Sequence, residues 1–187
     1  MNDFKELTEI RKDSTLIYDG DVLHVFKDTA VLPNGKDANR ELIRHIGAVA
    51  IAAITDDNEV ILEHQFRYPL DAVITEIPAG KLDSKTEDRL EAAKREFMEE
   101  TGYSADEWIA LGDYVPAAAY TDERITIYLA KGLHKGEQDL DSDEFLTVFT
   151  MPLEKAVSDC LDGTIFDGKT IAGILRAHHY LNKKETT

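Results

Sequence analysis

Residues 47–54 read GAVAIAAI, a stretch without one polar side chain. A strand exposed on one face alternates apolar with polar residues, so a continuous apolar run belongs in a sheet covered on both sides. Extended by Ile46 the run is still far too short to cross a bilayer. The chain around it must therefore supply layers on either side of a sheet. TDDNE (55–59) turns into a second strand, VILEHQFR (60–67), and AVITEIPAGKLD (72–83) is a strand entering a Pro/Gly loop. A helix is expected from about Glu87 to Thr101, with Ser84 and Glu87 offering a capping box. WIALGDYVP (108–116), ERITIYLAKGL (123–133) and FLTVFTM (145–151) read as further strands, and two helices, about 152–162 and 168–183, finish the chain. Mixed strands with separated helices make an α/β or α+β sandwich.

The first 45 residues differ in kind. LIYDGDVLHVFKDTAVL (16–32) folds around the turn Asp19-Gly20-Asp21, and PNGK (33–36) is a hairpin signal before RELIRHI. The expected division is a small antiparallel β subdomain over 1–45 and an α/β domain over 46–187. With 187 residues, 43% of them hydrophobic, there is room for a sizeable core. The first twenty residues lack the apolar segment of a secretory signal, and the single cysteine, Cys160, fits a reducing compartment, so a cytoplasmic protein is expected. The net charge of −16 disfavours nucleic acid and anionic membrane as partners. A small phosphorylated substrate stays compatible with it, given divalent cations and a few arginines at one site.

The helix ending in KREFMEETG (94–102) carries Glu96, Glu99 and Glu100 in its last turns. The macrodipole is already negative there, and each exposed carboxylate costs about 0.3–1 kcal/mol. Spaced i, i+3 and i+4, the three share one face with Ala92, next to the stripe of Leu90, Ala93 and Phe97 that would face the core. Arg95 can brace this face without neutralising it. An ordinary salt-bridged helix face is the bland alternative. Hard divalent cations would relieve both the repulsion and the dipole penalty. A second acidic group, Asp139, Asp141, Asp143 and Glu144, lacks the Gly and the final Glu of a calcium loop. His178 and His179 have no zinc-ligand spacing around them.

GKLDSKTEDRLEAAKREFMEETGY (80–103) resembles the Nudix box: Glu87, Arg95, Glu96, Phe97, Glu99, Glu100, Gly102 and Tyr103 match in spacing. Gly80 is followed by six residues before Glu87 where the family has five. LPNGK, GAVAI, HQFRYPL and EIPAGKLD, with DEF ahead of a strand, are similar to the ADP-ribose pyrophosphatase branch of that family over nearly the whole chain. The resemblance implies a Nudix-type α/β/α sandwich with a mixed sheet, an N-terminal β subdomain exchanging contacts across a homodimer, and hydrolysis of a nucleoside diphosphate substrate with Mg²⁺ (Mn²⁺ as a substitute). It implies Glu96, Glu99, Glu100 and the Ala79 carbonyl as metal ligands, Arg95 as the residue orienting the carboxylates, and Glu87 as a support of the box. It places Arg67 toward phosphate, Glu76 toward the adenosine side and Arg40 as a further phosphate contact. Glu144 is the choice for the base that activates water, with Asp143 and Asp141 as rivals. The branch's Ser-Pro-Gly segment falls on Ala117-Ala118-Ala119, a departure that bears on the sugar. Other Nudix substrates (GDP-sugars, dinucleoside polyphosphates, NAD(H)) and a non-catalytic nucleotide sensor are the competing expectations.

Overall fold

The computed structural model describes residues 4–140, 142 and 144–185. The chain divides into two compact units, one formed by residues up to His45 together with Ala117–Glu123, the other by Ile46–Pro116 and Arg124 onward.

In the first unit, β1 (Ile10–Asp19), β2 (His24–Val31) and β3 (Asp37–Arg44) form an antiparallel sheet in that order. The PNGK turn closes β2 onto β3: Gly35 takes φ +81°, and the Asn34 side chain accepts a hydrogen bond from the Lys36 amide at 3.0 Å. That positive φ is open to glycine at little cost, which is why this sequence turns here. Ile43 bridges to Thr121, and the Asp122 carboxylate accepts from the His45 amide at 2.7 Å, so residues 117–123 are part of this unit. Every residue of β1 is exposed, including Ile10, Leu16, Ile17 and Tyr18.

The second unit is the α/β/α sandwich. One sheet runs β7 (Ala79–Lys81), β4 (Ala48–Ala53), β9 (Ile125–Lys135), β8 (Tyr103–Tyr114), with β4 parallel to β9 and the other pairs antiparallel. The other is antiparallel: β10 (Leu146–Pro152), β5 (Glu59–Arg67), β6 (Ala72–Glu76). The apolar run of β4 is explained by two cores. Val49, Ile51 and Ala53 pack with Ala92, Ala93 and Phe97 of α1 (Arg89–Thr101). Ala48, Ala50 and Ala52 pack with Ala156 of α2 (Leu153–Asp162) and Ile174 and Ala177 of α3 (Gly168–Glu185). No helix of the described residues is long and apolar enough to cross a membrane.

Two local expectations are corrected. β8 begins at Tyr103, directly after α1, rather than at Trp108. The helix α1 starts at Arg89, and its cap is Asp88, whose side chain accepts from the Leu90 and Glu91 amides at 2.9 and 3.1 Å. Ser84 instead lies beside the Thr86 hydroxyl, and Glu87 folds back to accept from the Asp83 amide at 2.5 Å. A carboxylate one residue from the first helical position outcompetes a serine hydroxyl five residues away. Replacing Asp88 by Ala should cost about 1 kcal/mol of unfolding free energy in a denaturant titration, while Ser84→Ala should stay within about 0.5 kcal/mol.

Candidate active site

The helix α1 has no glycine or proline, and Gly102 stops it in the left-handed conformation (φ +73°), its amide donating to the Met98 carbonyl at 2.8 Å. The remaining carbonyls of its last turn are met by the segment that follows β9. The Gly136 amide donates to Gly102 at 2.6 Å, the Asp139 amide to Glu99 at 3.0 Å, and the Gln138 side chain to Glu100. These bonds satisfy orphan helix-end acceptors. They also tie the stem of the acidic loop, which leads on to Glu144, to the helix end that carries the glutamates.

Glu100 is 2% exposed and accepts from the Ala79 amide at 2.9 Å. Glu96 lies over Gly80, where a Cβ would overlap its carboxylate; only glycine lets the backbone of β7 approach so closely. Arg95 donates to Glu96 at 2.9 Å and Glu99 at 3.1 Å through one nitrogen, and to Glu87 at 3.3 Å through another. The extra residue between Gly80 and Glu87 is taken up in the loop 82–88, which the Glu87 contacts to Asp83 and Arg95 draw closed.

The electrostatics follow from the crowding. Burial, then the charges of Glu63, Glu144 and Glu96, push Glu100 up to about 10 against the pull of the Ala79 amide. Burial raises Glu96 as well, Arg95 opposes, and Glu99 and Glu144 add to the rise. Partial burial pulls the Arg95 guanidinium down, but Glu96, Glu87 and Asp83 more than reverse that. Glu144 is half-buried just before β10, and its charge acts on Glu63, Glu96 and Glu100 together. Its rivals Asp141 and Asp143 lie outside the described residues.

Among the described residues, no three His, Cys, Asp or Glu side chains stand close enough together to hold an ion. The donor set nevertheless fits a hard divalent cation: carboxylates on one helix face, with Glu100 and Glu96 raised first by burial and then by neighbouring carboxylates, against a glycine backbone with no room for a side chain. Arg95 occupies the gap between Glu96 and Glu99.

Arg67 and Glu76 meet on neighbouring strands, Nε donating to Oε2 at 2.6 Å. The other oxygen of Glu76, a residue only 2% exposed, accepts from Lys169. Lys169 also donates to Asp167 at 3.1 Å, and Asp167 caps the start of α3 through the Thr170 amide and hydroxyl. Both Glu76 oxygens are thus committed inside the protein. Arg40 belongs to the N-terminal unit, where Glu9 grips it at 2.8 and 2.5 Å.

Sequence reasoning missed two residues here. Lys169 is buried at the start of α3; Asp167-Gly-Lys-Thr, with its N-cap acid, was the available signal. Glu63 is fully buried on β5, directly opposite Glu76, and neither of its oxygens has a hydrogen-bond partner among the described residues. A charged residue continuing the run Val60-Ile61-Leu62 was its signal.

The fold is an α/β/α sandwich carrying an acidic helix face, and the comparisons say which family builds it. The chain belongs to the Nudix family: the NUDIX domain matches residues 44–173. It is 41% identical over 160 residues to a methanol dehydrogenase activator of Bacillus methanolicus, covering 84% of this chain and 86% of that protein. It is 38% identical over 183 residues to an ADP-ribose pyrophosphatase of Bacillus subtilis (97% and 96% covered). An ADP-ribose pyrophosphatase of Mycobacterium tuberculosis is 33% identical over 167 residues (88% and 81% covered). Among solved structures, an ADP compounds hydrolase shares the fold with a TM-score of 0.84 at 22% identity, over 95% of this chain and 97% of that one.

Burial, then the charge of Glu76, push Glu63 up to about 8, with Lys169 and Arg67 opposing and Glu144 adding to the rise. The unfolded chain releases this proton near 4.5, whereas the folded protein keeps it to about 8. The stabilisation is therefore complete below 4.5 and is lost as pH rises toward 8. Without divalent cations, melting temperatures should fall across that window, and Glu63→Gln should flatten the slope.

Proposed function

We propose that the protein hydrolyses the diphosphate bond of ADP-ribose or a related nucleoside diphosphate sugar, releasing AMP (or another NMP) and a sugar phosphate, with Mg²⁺ as the working cation and Mn²⁺ able to replace it. The observation that carries this reading is the face of Glu96, Glu99 and Glu100 seated on Ala79-Gly80, in a chain 38% and 33% identical to two ADP-ribose pyrophosphatases.

Glu96, Glu99 and Glu100, with the Ala79 carbonyl, would hold the cation, which supplies charge neutralisation of the diphosphate and a more acidic water. Arg95, bridging Glu96 and Glu99 through one nitrogen, orients them until the site is loaded. Arg67, braced by Glu76, is assigned to a phosphate oxygen; Glu76 acts through Arg67, because its oxygens are already engaged. Glu144 accepts the proton of the attacking water as its oxygen bonds to phosphorus. The bridging P–O bond breaks, and the departing phosphate carries the electron pair away. General-base action of this kind contributes about 10²–10⁴-fold, and fixed charge stabilisation supplies much of the remainder. Arg40 is assigned a phosphate contact from the N-terminal unit, for which release from Glu9 is required.

The apolar side chains exposed along β1 support a homodimer built through the N-terminal unit. Light scattering behind a sizing column should give the mass of two chains at micromolar concentration; one chain would remove the dimer. Unpaired, buried Cys160 supports a cytoplasmic location.

The substrate test is a panel of ADP-ribose, GDP-sugars, dinucleoside polyphosphates and NAD(H), compared by kcat/KM with Mg²⁺ or Mn²⁺. ADP-ribose should lead. NAD(H) shares the AMP-diphosphate half of ADP-ribose and is its first competitor in the panel. Glu100→Gln should lower kcat by roughly 10²-fold or more at saturating Mg²⁺. Near-normal turnover in that variant would sink the site, and binding without turnover across the panel would point to a nucleotide sensor.

A further inference from the structure

Strand β5 puts Val60 and Leu62 into the core shared with α2 and α3, and Ile61 into the core under α1. Glu63, two residues beyond Ile61, shares its face and points toward α1. Its cross-strand neighbours are Glu76 on one side and Val148 on the other, and Val148 packs against the α1 core. A carboxylate at such a position costs several kcal/mol unless it is paired.

Nothing among the described residues pairs it. Both Glu63 oxygens are buried without a hydrogen-bond partner, and the cations nearby are spent elsewhere. Lys169 is bonded to Glu76 and Asp167, and Arg67 holds Glu76 through Nε. Taking up a proton removes the charge but not the problem, because a buried carboxyl still needs an acceptor for its O–H and a donor for its C=O. The groups whose charges bear on Glu63 include Glu144, and Glu63 in turn bears on Glu100. These carboxylates come from β5, the end of α1 and the loop before β10, near enough for their charges to act on one another.

We propose that Glu63, from outside the Nudix box, is a ligand for an additional divalent cation held between it and Glu100. This rests on the hydrolase reading above and adds a donor from the sheet to those of the helix. Hard divalent cations of this size are commonly bound through one or two carboxylates, with water and substrate phosphate filling the other positions. Two carboxylates therefore suffice. The cation gives Glu63 the partner that neither Lys169 nor Arg67 provides.

The test is a Mn²⁺ titration of the metal-stripped full-length protein, with free Mn²⁺ followed by its EPR signal, for the wild type, Glu63→Gln and Glu100→Gln. Glu63→Gln is expected to bind one Mn²⁺ fewer per chain, or to bind it at least ~10-fold more weakly. Its chelated form should melt no lower than the wild type, because a buried charge has been removed. Unchanged Mn²⁺ stoichiometry and affinity in Glu63→Gln overturn the proposal. If Glu100→Gln alone weakens binding, the additional site falls and the helix site stands; if the wild type binds no Mn²⁺, both fall. Should Glu63→Gln fail to fold, Glu63→Leu, which extends the apolar run of β5, gives the same readout.

Discussion

The amide of Ala79 donating to the buried carboxylate of Glu100 fixes the last turn of α1 against the edge strand β7. Much of the second unit is arranged around that contact. It requires Gly80, because a side chain would collide with Glu96, and it requires Gly102, because the chain must reverse at once into β8. It also buries Glu100 and Glu96 beside other carboxylates, and burial first, then those charges, makes both harder to ionise. A core helix could have ended in leucine and been more stable. That this one ends in glutamate is what the proposed cation would offset.

Compensation is organised differently around the buried carboxylates Glu76 and Glu63, although they are cross-strand neighbours. Around Glu76 it is internal: Arg67 and Lys169 each bond one oxygen, and Asp167 shares Lys169 while capping α3. A buried pair of this kind contributes little net stability, but breaking it by removing one partner costs about 3–5 kcal/mol. Around Glu63 and Glu100 compensation is incomplete, and the raised affinity of both for protons is the measure of that deficit. The contrast separates a charge network with its cations in place from one with too few hydrogen-bond partners among the described residues.

The sandwich and the acid face were legible because both rest on periodicity. Eight apolar positions in a row, too short for an ordinary helix, fit a strand with two covered faces, and i, i+3, i+4 spacing puts three glutamates on one side of a helix. What stayed hidden depends on register and on competition between near-equals. Glu63 cannot be paired with Glu76 until the β5–β6 register is known, nor Lys169 with Glu76 across almost a hundred residues. Ser84 satisfied a capping pattern that Asp88 fulfils better, and no rule of spacing chooses between them. Assigning Ala117–Glu123 to the N-terminal unit needed the three-dimensional bridge from Ile43 to Thr121.

That last assignment bears on how the chain matures. The N-terminal unit is complete only when residues 117–123 return to it, and β4, α1 and β8 lie between in sequence. During synthesis the first three strands must therefore wait for residues 117–123 before the bridge from Ile43 to Thr121 can close the unit. Long-range closure of this sort slows folding and lengthens the exposure of strand edges. The N-terminal unit is thus closed by a segment made only after β4, α1 and β8 of the other unit.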